Sequence, residues 1–261
     1  MTRAPGAGAV GLLLAAALHA QAPDPHAVQP ERPTVATHAY TVATGWVEIE
    51  AGAEFDRYPD KSRGGSAPVV VKVGAGRRAQ LDLFGSAAEP PGQGLGIGDV
   101  GVALKWRAVE RSRWLGDLSL QPSLKLPTGE ASAGRGTGTT DLGLVVISSR
   151  QVGSVELDLN VGYVHRSGDG SAAPRDATLW TASFGGPLRG AVGWVAECYG
   201  YPATSGPAGA ASVVAVLAGP TLLVRKWLAF DAGVILPVTG PQPHAVYVGT
   251  VYNVGRAWGG E

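Results

Sequence analysis

Cysteine and charge are both scarce in this 261-residue sequence. Cys198 is the single cysteine, which excludes an intramolecular disulfide framework and a cysteine-based zinc site. Charged residues make up 16% of the chain, and the formal net charge is zero. This balance excludes a disordered acidic or basic chain and argues against a nucleic-acid-binding protein.

Turn-forming residues, by contrast, are abundant. The chain has 39 glycines and 19 prolines, yet 45% of its residues are hydrophobic. The glycines follow no three-residue repeat, which excludes a collagen-like chain, and their frequency argues against long helical bundles. The composition predicts many short segments separated by turns.

The first forty residues predict an exported protein. Arg3 precedes an apolar run at residues 9–18, and the small residue Ala20 marks a cleavage position, so residues 1–20 have the layout of a Sec-type signal peptide. A run of about ten apolar residues is too short to cross the roughly 30 Å hydrocarbon core as a helix, which disfavours a membrane anchor. Residues 21–40, rich in proline and histidine, are predicted to form a flexible periplasmic lead-in.

The remainder of the chain alternates between apolar and polar side chains with a period of two. Every odd-numbered residue from Val155 to Tyr163 is apolar, whereas the even-numbered residues between them are polar or glycine. A helix would mix the two sets on one face, so the period indicates strands. Glycine and proline breaks divide the pattern into about twelve predicted strands, near residues 45–57, 67–74, 77–86, 98–109, 115–127, 141–150, 154–165, 177–186, 190–201, 211–224, 227–237 and 244–255.

The predicted connections alternate strictly between short and long. A short one such as 75–76 is followed by a long one such as 87–97 or 128–140, rich in Gly, Ser and Pro. Outer-membrane barrels have short periplasmic turns and long extracellular loops, and an even strand number leaves both termini in the periplasm. The sequence therefore predicts an all-β fold, a closed antiparallel transmembrane barrel of about twelve strands over residues 41–258, followed by a tail at 259–261.

Two other interpretations fit parts of the pattern. A soluble sandwich would expose its polar face to water with many Lys and Glu, whereas the polar positions of these strands have a low charge density. In addition, no sandwich needs all its long loops at one end. Residues 208–224 are apolar on both faces, as a transmembrane helix would be. Gly219-Pro220 inside this segment and the alternation of its neighbours favour a strand.

Four short segments carry a family resemblance. They are Gly96-Ile97-Gly98-Asp99 leading to Lys105-Trp106-Arg107, Lys125-Leu126-Pro127-Thr128-Gly129, Gly136-Thr137-Gly138-Thr139-Thr140-Asp141, and Tyr252-Asn253-Val254-Gly255. In this order and spacing, together with the signal peptide and the barrel pattern, the chain resembles the outer-membrane transporter family labelled as the MetA pathway of phenol degradation, over about residues 34–258. The resemblance implies a bacterial outer-membrane β-barrel that passes small, including aromatic, molecules, and it brings no catalytic residues.

The polar residues at every second position of the predicted strands are expected to face the barrel lumen. Among these residues, acidic ones outnumber basic ones. Two interpretations stay open, and both can hold at once: the charges pair with one another inside a narrow barrel, because unpaired buried charge is costly, or they line a permeation path. The predicted lumen-lining residues are Glu48, Glu50, Lys72, Asp82, Lys105, Arg107, Glu156, Asp158, Glu197 and Asp231.

A charge cluster is predicted at the extracellular rim. Asp99 begins its strand on the extracellular side, Lys125 ends the next strand there, and Asp141 begins the one after. Three adjacent antiparallel strands thus place these side chains on the lumen face at one height. We expect the cluster to hold the loop 127–140 over the rim.

His165 and Ser167 raise the alternative of an outer-membrane phospholipase-like hydrolase. Such an enzyme needs a histidine that activates the serine and a third group that orients the histidine. The sequence pattern places no Asp or Asn on the same face nearby, and Asp169 falls in a Gly-Asp-Gly loop. No catalytic residue, metal site or cofactor is therefore predicted, and the chain is expected not to be an enzyme.

The function that these patterns favour is passive or facilitated passage of small solutes across the bacterial outer membrane, with aromatic or hydrophobic solutes as candidates. A plugged structural or adhesive barrel without transport is the alternative. The expected partners are outer-membrane lipid, the outer-membrane assembly machinery and the small solutes themselves, with no nucleic acid.

Overall fold

The computed structural model describes residues 24–258. The signal peptide predicted at 1–20 and the tail at 259–261 lie outside the described residues. The described chain is built from antiparallel strands, twelve long and one short: β1 Trp46–Arg57, β2 Arg63–Gly76, β3 Ala79–Glu89, β4 Gly96–Ile97, β5 Val100–Ser112, β6 Gly116–Leu126, β7 Asp141–Val152, β8 Val155–Arg166, β9 Asp176–Arg189, β10 Val192–Tyr201, β11 Val213–Arg225, β12 Leu228–Thr239 and β13 His244–Arg256.

The twelve long strands close into a barrel. Each pairs with its neighbours in chain order, β3 pairs with β5, and β1 pairs with both β2 and β13, which joins the two ends of the sheet. The two-residue β4 pairs only with the end of β3, inside the loop that leads to β5. The predicted closed antiparallel barrel of twelve strands is confirmed, and the segment 208–224 contributes strand β11.

Side chains alternate between two very different environments along each strand. On β8, Val161 is 63% exposed on the outer surface, whereas Asn160 beside it is 2% exposed and faces the lumen. Large apolar and aromatic residues dominate the exposed set, among them Trp106 and Trp180. An outer surface of this kind is suited to contact with lipid acyl chains, and the inner surface is suited to polar partners.

The connections between strands also fall into two groups. Tight turns such as 153–154 lie at one end of the barrel, and long loops lie at the other. The loop between β6 and β7 contains the short 3₁₀ helix Ala131–Ala133, which ends at Gly134 with a φ of 72°, a left-handed conformation that favours glycine. None of the helical structure within residues 24–258 is long and apolar enough to cross a membrane.

The segment before β1 does not form the flexible lead-in that the sequence predicted. Its described part, residues 24–45, lies inside the barrel, and Val28, Ala36, Ala39 and Val42 in it are buried. Proline and short polar residues gave no strand or helix period, so the sequence pattern suggested disorder. The segment is ordered by side chains of the barrel wall rather than by its own secondary structure.

Candidate functional site

Residues 24–45, here called the plug, form a loop that enters and leaves the lumen at the tight-turn end. At its start, Asp24 pairs with Lys226 at 2.7 Å, and the Val28 amide donates to the Lys226 carbonyl. At its end, the Gly45 amide donates to the Gly74 carbonyl of β2. Both ends of the plug therefore lie near the tight turns, and its middle occupies the part of the lumen above them.

Carboxylates of the wall bind the first half of the plug through its main chain. Glu48 accepts from the Gln29 amide at 2.8 Å, and Glu50 accepts from the Glu31 amide at 2.7 Å. Across the lumen, the two oxygens of Glu197 accept one bond each from two successive plug amides, those of Val35 and Ala36, at 2.8 and 2.7 Å. Bonds from amides to ionised carboxylates are about twice as strong as neutral ones.

Neutral polar side chains bind the second half. Asn160 both accepts from the Thr37 amide at 2.7 Å and donates to the Thr37 carbonyl at 2.9 Å. Ser149 accepts from the Ala39 amide at 2.7 Å, and Ser119 donates to the Ala39 carbonyl at 2.6 Å. The plug thereby crosses from β10 through β8 and β7 to β6 before it returns to β1.

Buried ion pairs add charge to this contact. Lys72 Nζ lies 2.6 Å from Glu48 and 2.7 Å from Glu50, both on the wall. Lys105 Nζ lies 2.5 Å from Glu31 of the plug. Since Lys72 and Lys105 are fully buried, the loss of one partner would leave a charge without compensation in a site that water barely reaches.

Two glycines make room for the plug's arginine. Arg32 pairs with Asp231 at 3.1 Å and lies over Gly52 and Gly249, which face each other on β1 and β13. A Cβ at either glycine would come within 2.4 Å of the guanidinium. Any larger residue there would push Arg32 away from Asp231.

Apolar contacts with the plug are fewer. Val35 packs against a cluster on the inner wall of β10 to β13. The members of this cluster are Val195, Tyr199, Ala215, Leu217, Ile235, Ala245 and Tyr247. A second plug residue, Val28, packs against Ala229 and Val251 of the inner wall. Most of the plug is thus held by polar groups, with two apolar anchors.

The plug leaves open space in the lumen. A cavity of 410 Å³ lies between plug residues 31–37 and wall residues that include Ala53, Val70, Leu179 and Tyr247. A second cavity of 270 Å³ lies nearer the rim, lined by Phe84, Ser123 and Tyr201 among others. Charged wall residues line both cavities, Glu50 and Glu54 the first and Lys125, Asp141 and Arg166 the second.

The predicted lumen residues divide into three groups by their partners. Seven are buried and face the plug or the network around it: Glu48, Glu50, Lys72, Asp82, Lys105, Glu197 and Asp231. Glu156 and Asp158 border a 360 Å³ cavity beside the plug, and Asp158 accepts a hydrogen bond from Ser149. Arg107 instead lies 3.5 Å from Glu110 near the tight-turn end.

Sequence reasoning missed the residues that complete the site. Glu31 and Arg32 belong to the segment that was predicted to be a flexible lead-in. On the barrel wall, only the charged residues at inward-facing positions were predicted to line the lumen. The neutral residues Gln80, Ser149 and Asn160 also lie at inward-facing positions and all bind plug amides. One sequence feature could have identified these three residues: each is a polar residue, able to form hydrogen bonds, at an inward-facing position of a strand.

The predicted rim residues lie together. Lys125 bonds to Asp99 and lies 3.1 Å from Asp141, which Arg166 also contacts at 3.3 Å. Asp99 accepts from the amides of Gly129 and Thr137, both in the loop 127–140. Burial alone would raise the pKa of Asp99, but the bonds from Lys125 and these amides lower it below its ordinary value. The cluster fastens this loop to the rim.

Replacing Lys125 by Met is expected to release the loop 127–140. The loop would lose the cation that joins the carboxylates of β5 and β7, and limited proteolysis would then cut it at least several-fold faster than in the unmodified chain. Since the pKa of Asp99 is lowered in the folded protein, its contribution is present at neutral pH and is lost only as the pH falls through that lowered value. Unchanged proteolysis of Lys125→Met would show that the loop is held by other contacts.

Of the two contacts that a hydrolase would need, the one between an acidic residue and His165 is present, whereas the one between His165 and Ser167 is absent from the described residues. Contrary to the sequence prediction, an aspartate does lie beside His165: Asp176 is its cross-strand partner and contacts His165 Nδ1 at 2.9 Å. The Ser167 hydroxyl, however, accepts from the Thr140 amide at 3.0 Å. Within residues 24–258, no hydrogen bond joins Ser167 to His165, so the two side chains do not form an activated nucleophile.

Comparison with known proteins shows a likeness of fold. No family model matches the chain, and no curated protein matches it. Among solved structures, the COG4313 outer membrane channel from Pseudomonas putida F1 has a TM-score of 0.60 at 8% identity, covering 82% of this chain and 97% of that one. The NanC porin has a TM-score of 0.58 at 8% identity, covering 79% and 98%. The KdgM porin has a TM-score of 0.52 at 10% identity, covering 78% and 98%.

These neighbours are described as an outer membrane channel and two porins, and the fold of this chain is that of an outer-membrane barrel. The phenol-degradation label is not confirmed and stays a prediction.

Proposed function

We propose that this protein is an outer-membrane channel for small solutes whose lumen is closed from the periplasmic side by its own plug. One observation carries the proposal: hydrogen bonds and ion pairs, rather than a large apolar interface, hold the plug. Water can replace such bonds when the plug withdraws, whereas a broad apolar contact would resist exposure. The plug is therefore suited to move while the barrel stays folded.

The barrel itself supports this proposal. Its outer surface is apolar and its long loops lie at one end, as in proteins that reside in the bacterial outer membrane. Export through a Sec-type signal at 1–20 fits the same location. The cavities between the plug and the rim are lined by apolar residues such as Leu179 and Phe84 as well as by charged ones, which suits solutes with both apolar and polar surface and fits the aromatic or hydrophobic solutes suggested by the family resemblance.

Conductance in planar bilayers tests the proposal. The double variant Glu31→Gln/Arg32→Gln keeps the net charge of the plug but removes the partners of Lys105 and Asp231. Because both wall charges would then be buried without compensation when the plug is seated, we expect discrete conductance steps at least ten times more often than in the unmodified chain. The control Lys226→Met removes only the exposed pair with Asp24 and is expected to change the frequency by less than about sixfold.

A permanently plugged structural barrel is the second candidate. The seven plug amides bound to wall side chains favour it, because so many bonds could keep the plug in place. This candidate predicts no conductance steps from Glu31→Gln/Arg32→Gln at any voltage that the bilayer tolerates.

An open lumen is expected to prefer cations. Of the ten predicted inner-face residues, seven are acids and three are bases. Four of the acids, Glu48, Glu50, Glu197 and Asp231, lose plug partners when the plug leaves. Fixed charges in a confined lumen attract counter-ions. Reversal potentials of Glu31→Gln/Arg32→Gln across a salt gradient should have the cation-selective sign, and adding Glu197→Gln with Asp231→Asn should reduce them. An anion-selective sign would contradict the assignment of these residues to the conducting path.

A further inference from the structure

The inner wall recognises the plug mainly by its peptide main chain. Seven plug amides donate to wall side chains at 2.7–2.8 Å: those of Gln29, Glu31, Val35, Ala36, Thr37, Ala39 and Val42. Wall side chains also donate to plug carbonyls, including Lys105 to His38 and Ser119 to Ala39. Every peptide offers these groups whatever its side chains, so this recognition does not depend on the plug sequence.

The main-chain contacts are densest over five residues. Between Val35 and Ala39, four amides are bound by Glu197, Asn160 and Ser149. Over the same stretch, the carbonyls of Thr37, His38 and Ala39 accept from the wall. The side chains in this stretch are small or short, apart from His38. The wall here offers a ready set of donors and acceptors for a peptide of four or five residues.

Plug side chains contribute to a different part of the contact. Glu31 and Arg32 form the ion pairs with Lys105 and Asp231, and both precede the densest stretch. Weakening these two side chains therefore loosens the plug and leaves unchanged the contacts of Glu197, Asn160 and Ser149, which bind the amides of Val35 to Ala39. This separation allows the wall to be tested with other ligands.

We propose that the lumen wall, once the plug has withdrawn, binds short peptides by their main chains, and that oligopeptides are a solute class of the channel. The inference rests on the proposed function, because it takes the plug to be displaceable. Ionised carboxylates such as Glu197 bind amide N–H groups more strongly than neutral acceptors do. A solute of similar size without N–H donors would leave those carboxylates without partners.

A binding experiment tests recognition without requiring conduction. A fluorescent synthetic peptide with the sequence of residues 29–42 is titrated onto the full-length Glu31→Gln/Arg32→Gln protein in detergent. Methylating the amides of Ala36 and Ala39, which the wall binds, is expected to weaken binding at least tenfold. The matched control carries two methyl groups on the amides of Thr34 and Thr41, which donate to no wall side chain in the described part of the chain. Its affinity should stay within threefold of the unmethylated peptide.

A transport experiment tests the solute class. Tetra-alanine and tetra-sarcosine are isomers of equal mass, but the second has no peptide N–H groups. In liposomes that contain Glu31→Gln/Arg32→Gln, tetra-alanine should enter at least several-fold faster than tetra-sarcosine. Glu197→Gln with Asn160→Leu in the same background should abolish the difference.

The outcomes separate the two proposals. If ions pass but the isomers enter equally and both methylated peptides bind alike, the peptide inference is wrong and the channel stands. If the methylated peptides bind as expected but neither ions nor solutes pass, the wall binds peptides and the channel proposal is wrong. If the peptide of residues 29–42 does not bind to the variant at all, the peptide inference is overturned whatever the conductance.

Discussion

Replacing Lys72 by Met is expected to shift the protein strongly towards the unplugged state. Lys72 is fully buried, lies 2.6 Å from Glu48 and 2.7 Å from Glu50, and donates to the Gln29 carbonyl of the plug. Without it, two adjacent buried carboxylates would lack a cation. Removing one partner of a buried charge network costs about 3–5 kcal/mol.

The cost of Lys72→Met falls on the plugged state, because water that enters the vacated lumen can hydrate both carboxylates. At about 1.4 kcal/mol per factor of ten, the ratio of closed to open channels should fall roughly a hundred- to several-thousand-fold. Open probability in planar bilayers measures this ratio directly.

Lys226→Met is the matched control for Lys72→Met. The same substitution at the same residue type also removes a contact with the plug, but the pair of Lys226 with Asp24 lies in solvent at the barrel mouth. Exposed ion pairs contribute about 0–1 kcal/mol, so the open probability should change by less than about sixfold. Equal effects of the two variants would show that the buried network does not hold the plug.

Replacing Val161 by Arg is expected to destabilise the barrel by about 2–4 kcal/mol, the cost of a basic residue on the lipid face near the bilayer midplane. Val161 is the seventh residue of the twelve-residue strand β8, pairs with Val146 and Trp180, and is exposed on the outer surface. Equilibrium unfolding by urea from phospholipid vesicles measures the change in the free energy of unfolding.

Ser123→Arg is the control for the lipid face. Ser123 faces the cavity near the rim, beyond the plug and close to Asp141, so an arginine there keeps access to water and to a carboxylate. We expect it to cost less than 1 kcal/mol. If Ser123→Arg were the more destabilising of the two, the inner and outer faces would have been assigned the wrong way round.

The strands of this protein could be predicted from sequence because a barrel wall separates lipid from a polar lumen at every second residue. On β8, for example, Leu159 and Val161 are exposed and Asn160 between them is buried. The rim cluster could be predicted for a related reason. Antiparallel register places Lys125 opposite Asp141, and chain position alone brings Asp99 to the same height.

The plug could not be predicted, because nothing in its local sequence specifies its conformation. Its amides are bound by residues far away in the chain: Val35 and Glu197 are 162 positions apart, and Ala39 and Ser149 are 110 apart. For the same reason the partner of Lys105 was missed. That partner, Glu31, belongs to the segment that the sequence predicted to be a flexible lead-in.

A reversible lock on the plug tests most directly whether the plug closes the lumen. Ala39 of the plug and Ser149 of the wall are in direct contact, with the Ala39 amide 2.7 Å from Ser149 Oγ, so a pair of cysteines is placed there and the formation of its disulfide is verified by mass spectrometry. The full-length protein would carry Ala39→Cys and Ser149→Cys, with Cys198→Ser to remove the native thiol and Glu31→Gln/Arg32→Gln to loosen the plug. Its conductance is recorded in one planar bilayer before and after reduction. A movable plug predicts no current from the oxidised protein and discrete, cation-selective steps once the disulfide is reduced. Equal currents in the two states would contradict it.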